Sequence, residues 1–380
     1  MARDEVETLR RLVGWPTISS NPLTELAAYV AQRCEDVGFK VERFEDQDSP
    51  GKVNVVCAAG PAGTDGLILS GHMDVVPVAG QAWSVDPFTL TERDGRLLGR
   101  GTSDMKGFIA ASIEALGRLD LSRLQRELVL IWTHDEEVGC VGSAKLASRL
   151  AAEGRALPSE ALIGEPTDFR ILRMHPGHVA LTITTFGEAA HSSKPDLGAS
   201  AIKAMGRVIT MLEQLEAELM RSRRFEDLLE RPWVTMNMGT LHGGQAVNIV
   251  PDHCALMVGY RPLPGDDALA VFRVIEARAR ALKLPDSTRV EVHLERQTPS
   301  MLSPEGTPLQ GLLTPHACCA ETAAASFATD GGNLQALGVR SLIFGPGSID
   351  VAHKADEYVR ADALAQAVDV IEAVVRARCA

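Results

Sequence analysis

Histidine and carboxylate side chains follow several of the most apolar runs of this 380-residue sequence. LILS leads into GHMD, LVLIW into THDEE, ALI into GEPTD, and SLIF into GPGSIDVAH. Because the carboxyl ends of strands in an open α/β sheet line the ligand crevice, we expect these side chains to converge at one edge. An aspartate in GRGTSDMKG, just before a predicted helix, belongs with them. The candidate set is His72, Asp104, Glu137, Glu165 and His353.

This donor set predicts metal chemistry. Carboxylates crowded at a sheet edge repel one another unless cations lie between them. Histidine and carboxylate donors without cysteine suit zinc, manganese or cobalt in a catalytic site better than a structural zinc site. Five donors are enough for two divalent ions about 3.5–4 Å apart with one bridging carboxylate. Glu136, left over beside Glu137, is placed to act as a general base on water.

Taken one at a time, these residues have other interpretations. A histidine such as His72 taken alone is more often a turn residue, and an isolated pair of glutamates is usually solvated surface. The repeated placement after apolar runs favours a metal site over both. The sequence has no GxxxxGK or GxGxxG pattern at a strand–helix junction, which argues against a nucleotide cofactor. It also lacks the G-x-S-x-G elbow of serine hydrolases.

Two kinds of rhythm in the sequence predict its domains. The first part alternates helix patterns with short, apolar strand patterns, which indicates a layered α/β domain. From about His175 the order becomes β-α-β-β-α-β, the ferredoxin-like order, and after Leu294 the short apolar runs return. We predict an α/β domain with a covered mixed sheet, formed by residues 1–175 and 295–380. A ferredoxin-like α+β domain of residues 176–294 interrupts it.

Composition narrows the partners and the compartment. Hydrophobic residues make up 45% and the formal net charge is −12; without a basic block, nucleic acid and anionic membranes are not expected partners. The seven cysteines are scattered, as in a protein of the reducing cytoplasm. No apolar run approaches the ~18 residues of a membrane span, and the N-terminus has no signal-peptide core. A cytoplasmic location is expected.

The motifs SGHMDVVP, GRGTSDMKG, HDEEVGCVGS and GEPT resemble those of the M20 metallopeptidase family, and the resemblance runs from about Glu5 to Val375. It implies that Asp104 bridges two ions, and that Glu136 is the general base. It also implies that Asp74 orients a histidine through its second ring nitrogen, and that the Asp104–Met105 peptide is cis. The implied ligands are His72 and Glu165 for one ion, and Glu137 and His353 for the other.

Two further segments, GEAAHSSKPDLGASAI and GGQAVNIVPDHC, resemble the family's lid motifs. The inserted domain would then be a lid that forms a homodimer. His191 would stabilise the oxyanion in the partner's active site, and Arg261 would bind the substrate α-carboxylate with Asn248 nearby. Thr329, Asp330 and Gly331 are further candidates for lining the substrate pocket.

The substrate follows from the branch of the family. GPGSID with AHKADEYV resembles the acetylornithine deacetylase branch, which implies hydrolysis of N-acetylornithine to ornithine and acetate in arginine biosynthesis. Pro176 in RMHPGHVA, where a lysine is common, and the segment ATDGGN depart from that pattern. Succinyl-diaminopimelate desuccinylase, broad aminoacylase and dipeptidase activities remain alternatives. A non-catalytic module that binds an amino acid or a metal is an alternative of another class. Such a module would not need a general base, yet this sequence retains Glu136 together with all five candidate ligands.

Overall fold

The computed structural model describes residues 4–225 and 227–380, and the chain divides into two compact units. The major unit comprises the described residues of Met1–Met174, Met301–Ala325 and Thr329–Ala380. The inserted unit comprises those of His175–Ser300 and Ser326–Ala328. Among the described residues, no helix is long and apolar enough to cross a membrane.

The elements are as follows in chain order. The α-helices are α1 Asp4–Val13, α2 Thr24–Asp36, α3 Lys106–Gly117, α4 Val141–Ala152, α5 Ala201–Leu219, α6 Ala270–Ala281, α7 Pro308–Leu313, α8 Gly331–Gln335 and α9 Ala361–Cys379. The strands are β1 Lys40–Glu45, β2 Val53–Ala59, β3 Leu67–His72, β4 Thr91–Arg93, β5 Arg96–Leu98, β6 Leu128–Thr133, β7 Glu160–Ile163, β8 Leu172–His175, β9 His178–Phe186, β10 Ala190–His191, β11 Thr235–Gly243, β12 Ile249–Val250, β13 His253–Arg261, β14 Arg289–Thr298, β15 Met301–Leu302, β16 Ala323–Ala324, β17 Arg340–Ile343 and β18 Tyr358–Arg360.

The major unit is built on a mixed sheet of order β1-β2-β6-β3-β7-β17-β8-β15, with β16 beside β8. Its four central strands, β6, β3, β7 and β17, are mutually parallel, whereas β1 and β2 pair antiparallel at one side. Parallel strands end at the same edge of a sheet, so the segments that follow these four strands meet there.

Apolar sequence runs explain the central strands. Every residue of β3 and of β6 is buried, as expected for strands covered on both faces. The amphipathic helix α1 buries Leu9 and Leu12, and α3 packs against both α1 and α9. Of the short apolar runs after Leu294, the one at residues 324–328 contributes only Ala324 to a strand, the two-residue β16 Ala323–Ala324. Its alanine-rich sequence lacks the branched side chains that favour an extended strand.

The inserted unit contains an antiparallel sheet of order β11-β13-β9-β14. Helices α5 and α6 are the long connections, and α5 lies against β9 and β13. The Thr185 hydroxyl donates to the carbonyl of Ala201 in α5, and Leu181 and Ile183 are fully buried. These alternate residues of β9 therefore face the helices. The strand and helix order is the β-α-β-β-α-β expected from the sequence, with the short pair β10 and β12 added.

The last strand of the inserted unit is longer than its apolar pattern indicates. The sequence pattern places the end of this domain at residue 294, but β14 continues to Thr298. A register shift between Leu294 and Arg296 inserts one extra residue, and such β-bulges break the alternation by which a strand is recognised. The compact inserted unit accordingly begins at His175 and its long segment ends at Ser300.

Candidate metal centre

The four parallel strands deliver the predicted donors to one edge. His72 is the last residue of β3. Glu136 and Glu137 follow β6, and Glu165 follows β7. His353 lies in the loop after β17, with a positive φ of 63°. The fifth donor, Asp104, precedes α3 through an Asp104–Met105 peptide that is cis, as the family resemblance implies.

Asp104 lies between two groups of donors. Its Oδ1 is 2.9 Å from Nε2 of His72, and its Oδ2 is 3.1 Å from Nε2 of His353. On the first side, Glu165 Oε1 is 3.8 Å from His72 Nε2. On the second, Glu137 Oε2 is 3.0 Å from His353 Nε2. One carboxylate is thus shared between two histidine–glutamate pairs, the arrangement that a bridging ligand of two ions requires.

The electrostatics of this cluster fit bound cations. Burial, together with the charge of Asp104, raises the pKa of Glu137 to about 7. Burial and the same charge raise the pKa of Glu165 well above its ordinary value. The second oxygen of Glu137, Oε1, is buried and has no hydrogen-bond partner among the described residues. Since buried carboxylates stay ionised together only with positive charge between them, this donor set fits two divalent ions.

The ring orientation of His72 suits a metal ligand. Its Nδ1 lies 3.0 Å from the backbone carbonyl of Asp74. A carbonyl only accepts, so Nδ1 carries a proton, and Nε2 is the nitrogen that faces Asp104 and Glu165 and whose lone pair a bound ion would take. The side-chain oxygen Oδ1 of Asp74 is 3.6 Å from Nδ1. His72 Nδ1 therefore donates to the main-chain carbonyl of Asp74. The resemblance implied that Asp74 orients this ring but did not say which atom of Asp74 does so.

The Asp74 carboxylate instead holds the loop after β6. Its Oδ1 accepts from the Glu136 amide at 3.1 Å and its Oδ2 from the Glu137 amide at 3.3 Å. The hydroxyl of Ser19 also donates to Oδ2, at 2.7 Å. Asp74 is fully buried, so this carboxylate fixes the backbone from which both glutamates project.

Glu136 lies apart from the five donors. Its Oε1 accepts a hydrogen bond from the Cys140 thiol at 3.4 Å. The close histidine–carboxylate pairs among the five donors do not include Glu136. Burial is the main cause that raises its pKa well above the ordinary value, although the charge of His72 opposes the rise. The two adjacent glutamates therefore point to different surroundings, one among the donors and one beside them.

A buried ion pair that the sequence did not predict holds the Asp104 loop. Glu357 and Arg100 are both almost fully buried, and the Arg100 guanidinium donates to Glu357 Oε2 at 2.5 Å. Glu357 Oε1 accepts from the amides of Ser103 and Asp104, at 2.9 and 3.0 Å. These residues lie 257 positions apart. Both are present in the motifs GRGTSD and DEYV, but their types alone do not distinguish them from surface charges.

Two of the acidic strand-end residues turn away from the donors. Asp135, with a positive φ of 52°, accepts from the Lys52 ammonium at 2.7 Å in a largely buried ion pair. Its other oxygen lies 3.2 Å from Nδ1 of His134. Asp350 is exposed. Position after an apolar run is therefore not sufficient to make a residue a member of the cluster.

The segment 329–331 is buried in the major unit. Thr329 is inaccessible and Asp330 is 2% exposed, while Gly331 begins α8. The Asp330 carboxylate accepts from the hydroxyls of Thr133 and Ser143, both at 2.5 Å. It also lies close enough to Glu136 and Cys140 for the three to form one donor group. Asp330 therefore packs beside the loop that carries Glu136 and is held there by two hydroxyl groups.

The remaining candidates lie in the inserted unit, at two separate places. His191 is exposed, its Nδ1 is 2.8 Å from the Ser193 hydroxyl, and it pairs with Ile249 next to the exposed Asn248. Arg261 is the last residue of β13, whose first residue, His253, follows β12 closely. Nine residues of strand span roughly 26 Å, so His191 and Asn248 lie together and Arg261 lies at the other end of the sheet.

The chain matches a protein-family model and several named relatives over most of its length. The model of Peptidase family M20/M25/M40 matches residues 68–377. An acetylornithine deacetylase of Myxococcus xanthus is 35% identical, with 98% of this chain and 97% of the relative covered. One of Proteus mirabilis (strain HI4320) is 34% identical over 93% of this chain and 91% of the relative.

Solved structures share the fold at low identity. An M20 family metallo-carboxypeptidase from Sulfolobus solfataricus superposes with a TM-score of 0.77 at 19% identity, covering 99% of both chains. A dinuclear metal-binding peptidase of the M20 family from Bacillus subtilis has a TM-score of 0.68 at 14% identity, covering 98% of this chain and 97% of that one.

Proposed function

We propose that this chain, a metal-dependent amidohydrolase that belongs to Peptidase family M20/M25/M40, removes the acyl group from an N-acyl amino acid, with N-acetylornithine as its substrate. The observation that carries the proposal is the shared Asp104 carboxylate between two histidine–glutamate pairs, with Glu136 beside them. The relatives at 33–35% identity bear the name acetylornithine deacetylase, which supports the choice of acyl group and amino acid.

The proposed ligand sets follow from the distances. His72, Glu165 and Asp104 Oδ1 would hold one ion, and His353, Glu137 and Asp104 Oδ2 the other, with zinc as the first candidate and cobalt as the second. Bound ions would polarise the acyl carbonyl and lower the pKa of the attacking water.

Proton transfer is assigned to Glu136. A carboxylate beside the donors, with no ligand role of its own, can take a proton from water and return it to the leaving amine. Asp74, through the amides of the Glu136–Glu137 pair, would keep the base and the neighbouring ligand in different directions. Asp330, which lies near Glu136 and Cys140, would help to position the same loop. This role would replace the expected contact of Asp330 with the substrate.

The inserted unit is proposed to act as a dimerisation lid. His191 would donate to the oxyanion, Arg261 would bind the α-carboxylate, and Asn248 would assist. Separation of His191 from Arg261 along the sheet supports an assignment in which one protomer supplies Arg261 and its partner supplies His191. Beside His191, Val247 is 99% exposed and Ile249 is 40% exposed, an apolar surface that a second copy of the chain could cover.

A substrate panel tests the assignment. Purified protein loaded with zinc or cobalt is assayed on N-acetyl-L-ornithine, an N-succinyl amino acid, other N-acetyl amino acids and a dipeptide. We expect the highest kcat/KM for N-acetyl-L-ornithine. A preference for the succinyl compound or the dipeptide would replace the substrate but keep the reaction, whereas no hydrolysis of any member, with tight binding of one, would favour a binding module.

A further inference from the structure

The face of the inserted sheet that points away from α5 and α6 carries a group of cationic side chains at one end. Gly259 of β13, Ala180 of β9 and Arg296 of β14 lie side by side in one row across the strands. In the next row, His178 pairs with Thr298, and Arg261 lies two residues beyond Gly259. Since alternate residues share a face, Arg261, His178 and Arg296 all project on the same side.

A β-bulge places Arg296 in this group. Leu294 pairs with Leu181, and in a regular strand the next residue, Glu295, would pair with Ala180. The register shift instead pairs Arg296 with Ala180. The extra residue therefore exchanges a negative side chain for a positive one on this face, and re-aiming one side chain is a common consequence of bulges near binding sites.

The centre of the group is shallow and already positive. The row contains two small residues, and a Cβ added to Gly259 would lie 3.5 Å from Nε2 of His178, so the imidazole reaches over this glycine. Burial lowers the pKa of Arg261, and the charge of Arg296 lowers it further. Burial and the charges of both arginines lower the pKa of His178 to about 4, which leaves its ring neutral near pH 7.

Within residues 4–225 and 227–380, only burial and the charge of Arg296 shift the pKa of the half-buried Arg261 guanidinium, and no carboxylate charge opposes them. On the same face, the nearest acid of β14, Glu291, is paired with Arg289 at 3.2 Å, two rows away. An anion bound to the Arg261 guanidinium would also be attracted by the positive charge of Arg296, across a floor of glycine and alanine.

We propose that Arg296 is a specificity-determining residue that, with Arg261, binds the carboxylate of the substrate. The inference rests on the proposed N-acyl amino acid hydrolysis and adds a second cation to its carboxylate site. Two guanidinium groups can each bind one carboxylate oxygen, so the site would discriminate strongly between a free α-carboxylate and the neutral α-amide.

The test compares N-acetyl-L-ornithine with its α-amide. We expect Arg296→Gln to lower the ratio of kcat/KM for the acid over that for the amide by roughly tenfold or more, the loss typical of one charged hydrogen bond. The loss should appear in KM with kcat little changed, because the contact is present before and during the reaction. Arg296→Lys, which retains the charge, should restore part of the ratio.

The matched control is Arg289→Gln. It lies on the same strand and face, stacked on Phe186 at 3.9 Å, and should leave the ratio within about twofold. Thermal unfolding of each variant identifies any general loss of stability. An equal loss on acid and amide in Arg296→Gln would overturn the proposal, because a merely structural residue would not distinguish them.

A binding measurement separates this inference from the proposed reaction. If the wild-type protein hydrolyses neither compound, the proposed function fails and calorimetric binding of the acid and the amide replaces the rates. Weaker binding of the acid alone in Arg296→Gln would still support the carboxylate site. Identical binding by wild type and variant would reject it.

Discussion

The candidate metal centre of the major unit and the candidate residues of the inserted unit are held in opposite ways. His72, Asp104 and Glu165 are almost fully buried and lie against one another. His191 and Asn248 are exposed. The first group is assembled within one chain, and the role proposed for the second depends on its meeting another surface. The difference predicts that the first group determines whether catalysis occurs, and the second how substrate and oxyanion are bound.

The largest effect should come from separating base from ligand within the major unit. Glu136→Gln keeps the size of the side chain but removes the proton acceptor, so kcat should fall by about 10²-fold or more. Metal content, measured by mass spectrometry of the elements, should stay near wild type. Glu137→Gln is the adjacent control and should lower metal occupancy. The opposite pattern in the two variants would exchange their assigned roles.

The comparison is sharpened by complementation across a dimer. His191→Ala should lose roughly 10²-fold in kcat, the loss usual for one oxyanion donor. Glu136→Ala and His191→Ala are unfolded and refolded as an equal mixture, in which random pairing makes roughly half of the dimers heterodimers. One of the two sites in each heterodimer is then intact, so activity should recover to roughly a quarter of wild type.

A different result is expected if His191 acts in the active site of its own chain. If His191 serves its own chain, every site in the mixture carries one defect. Activity would then stay at the level of the separate variants after subunit exchange. Wild-type protein taken through the same unfolding and refolding provides the reference for recovery.

A smaller effect is expected one step behind the donors. Glu357→Gln leaves the buried Arg100 without its charged partner, which should destabilise the fold by about 3 kcal/mol and weaken metal binding roughly 10–100-fold. The control is Glu153→Gln, which removes the exposed pair of Glu153 with Arg149 and should cost less than about 1 kcal/mol. Chemical denaturation and metal titration measure the two quantities. Unchanged metal affinity in Glu357→Gln would show that the pair does not position Asp104.

The sequence pattern selected four of the five donors, all but Asp104, because they lie in or after short, buried strands. In parallel strands that pattern leaves little freedom: His72, Glu137 and Glu165 must reach the same edge. The role of Asp104 as a shared carboxylate came from the family resemblance, since the loop before α3 has no periodic pattern. A general pattern also selected Asp350, which the structure places at the surface.

Other features depend on contacts that no local pattern records. Arg100 and Glu357 form one ion pair although they lie 257 positions apart in the sequence, and side chains of these two types are most often solvated. The bulge in β14 inserts one extra residue, which places Arg296 on the same face of the sheet as Arg261. Beyond the bulge, β14 continues to Thr298, past the end that the apolar pattern predicts. The pattern of apolar residues was sufficient to predict the order of strands and helices. It was not sufficient to predict the Arg100–Glu357 ion pair or the position of Arg296.

The central claim is that the donors around Asp104 hold two ions and that hydrolysis depends on them. The direct measurement removes all metal by exhaustive chelation, adds back zinc or cobalt in measured equivalents, and records bound metal and hydrolysis of N-acetyl-L-ornithine at each step. We expect hydrolysis to be abolished without metal and full activity at two ions per chain, with partial activity at one because a single Lewis acid still polarises the carbonyl. Full activity of the metal-free protein would contradict the account.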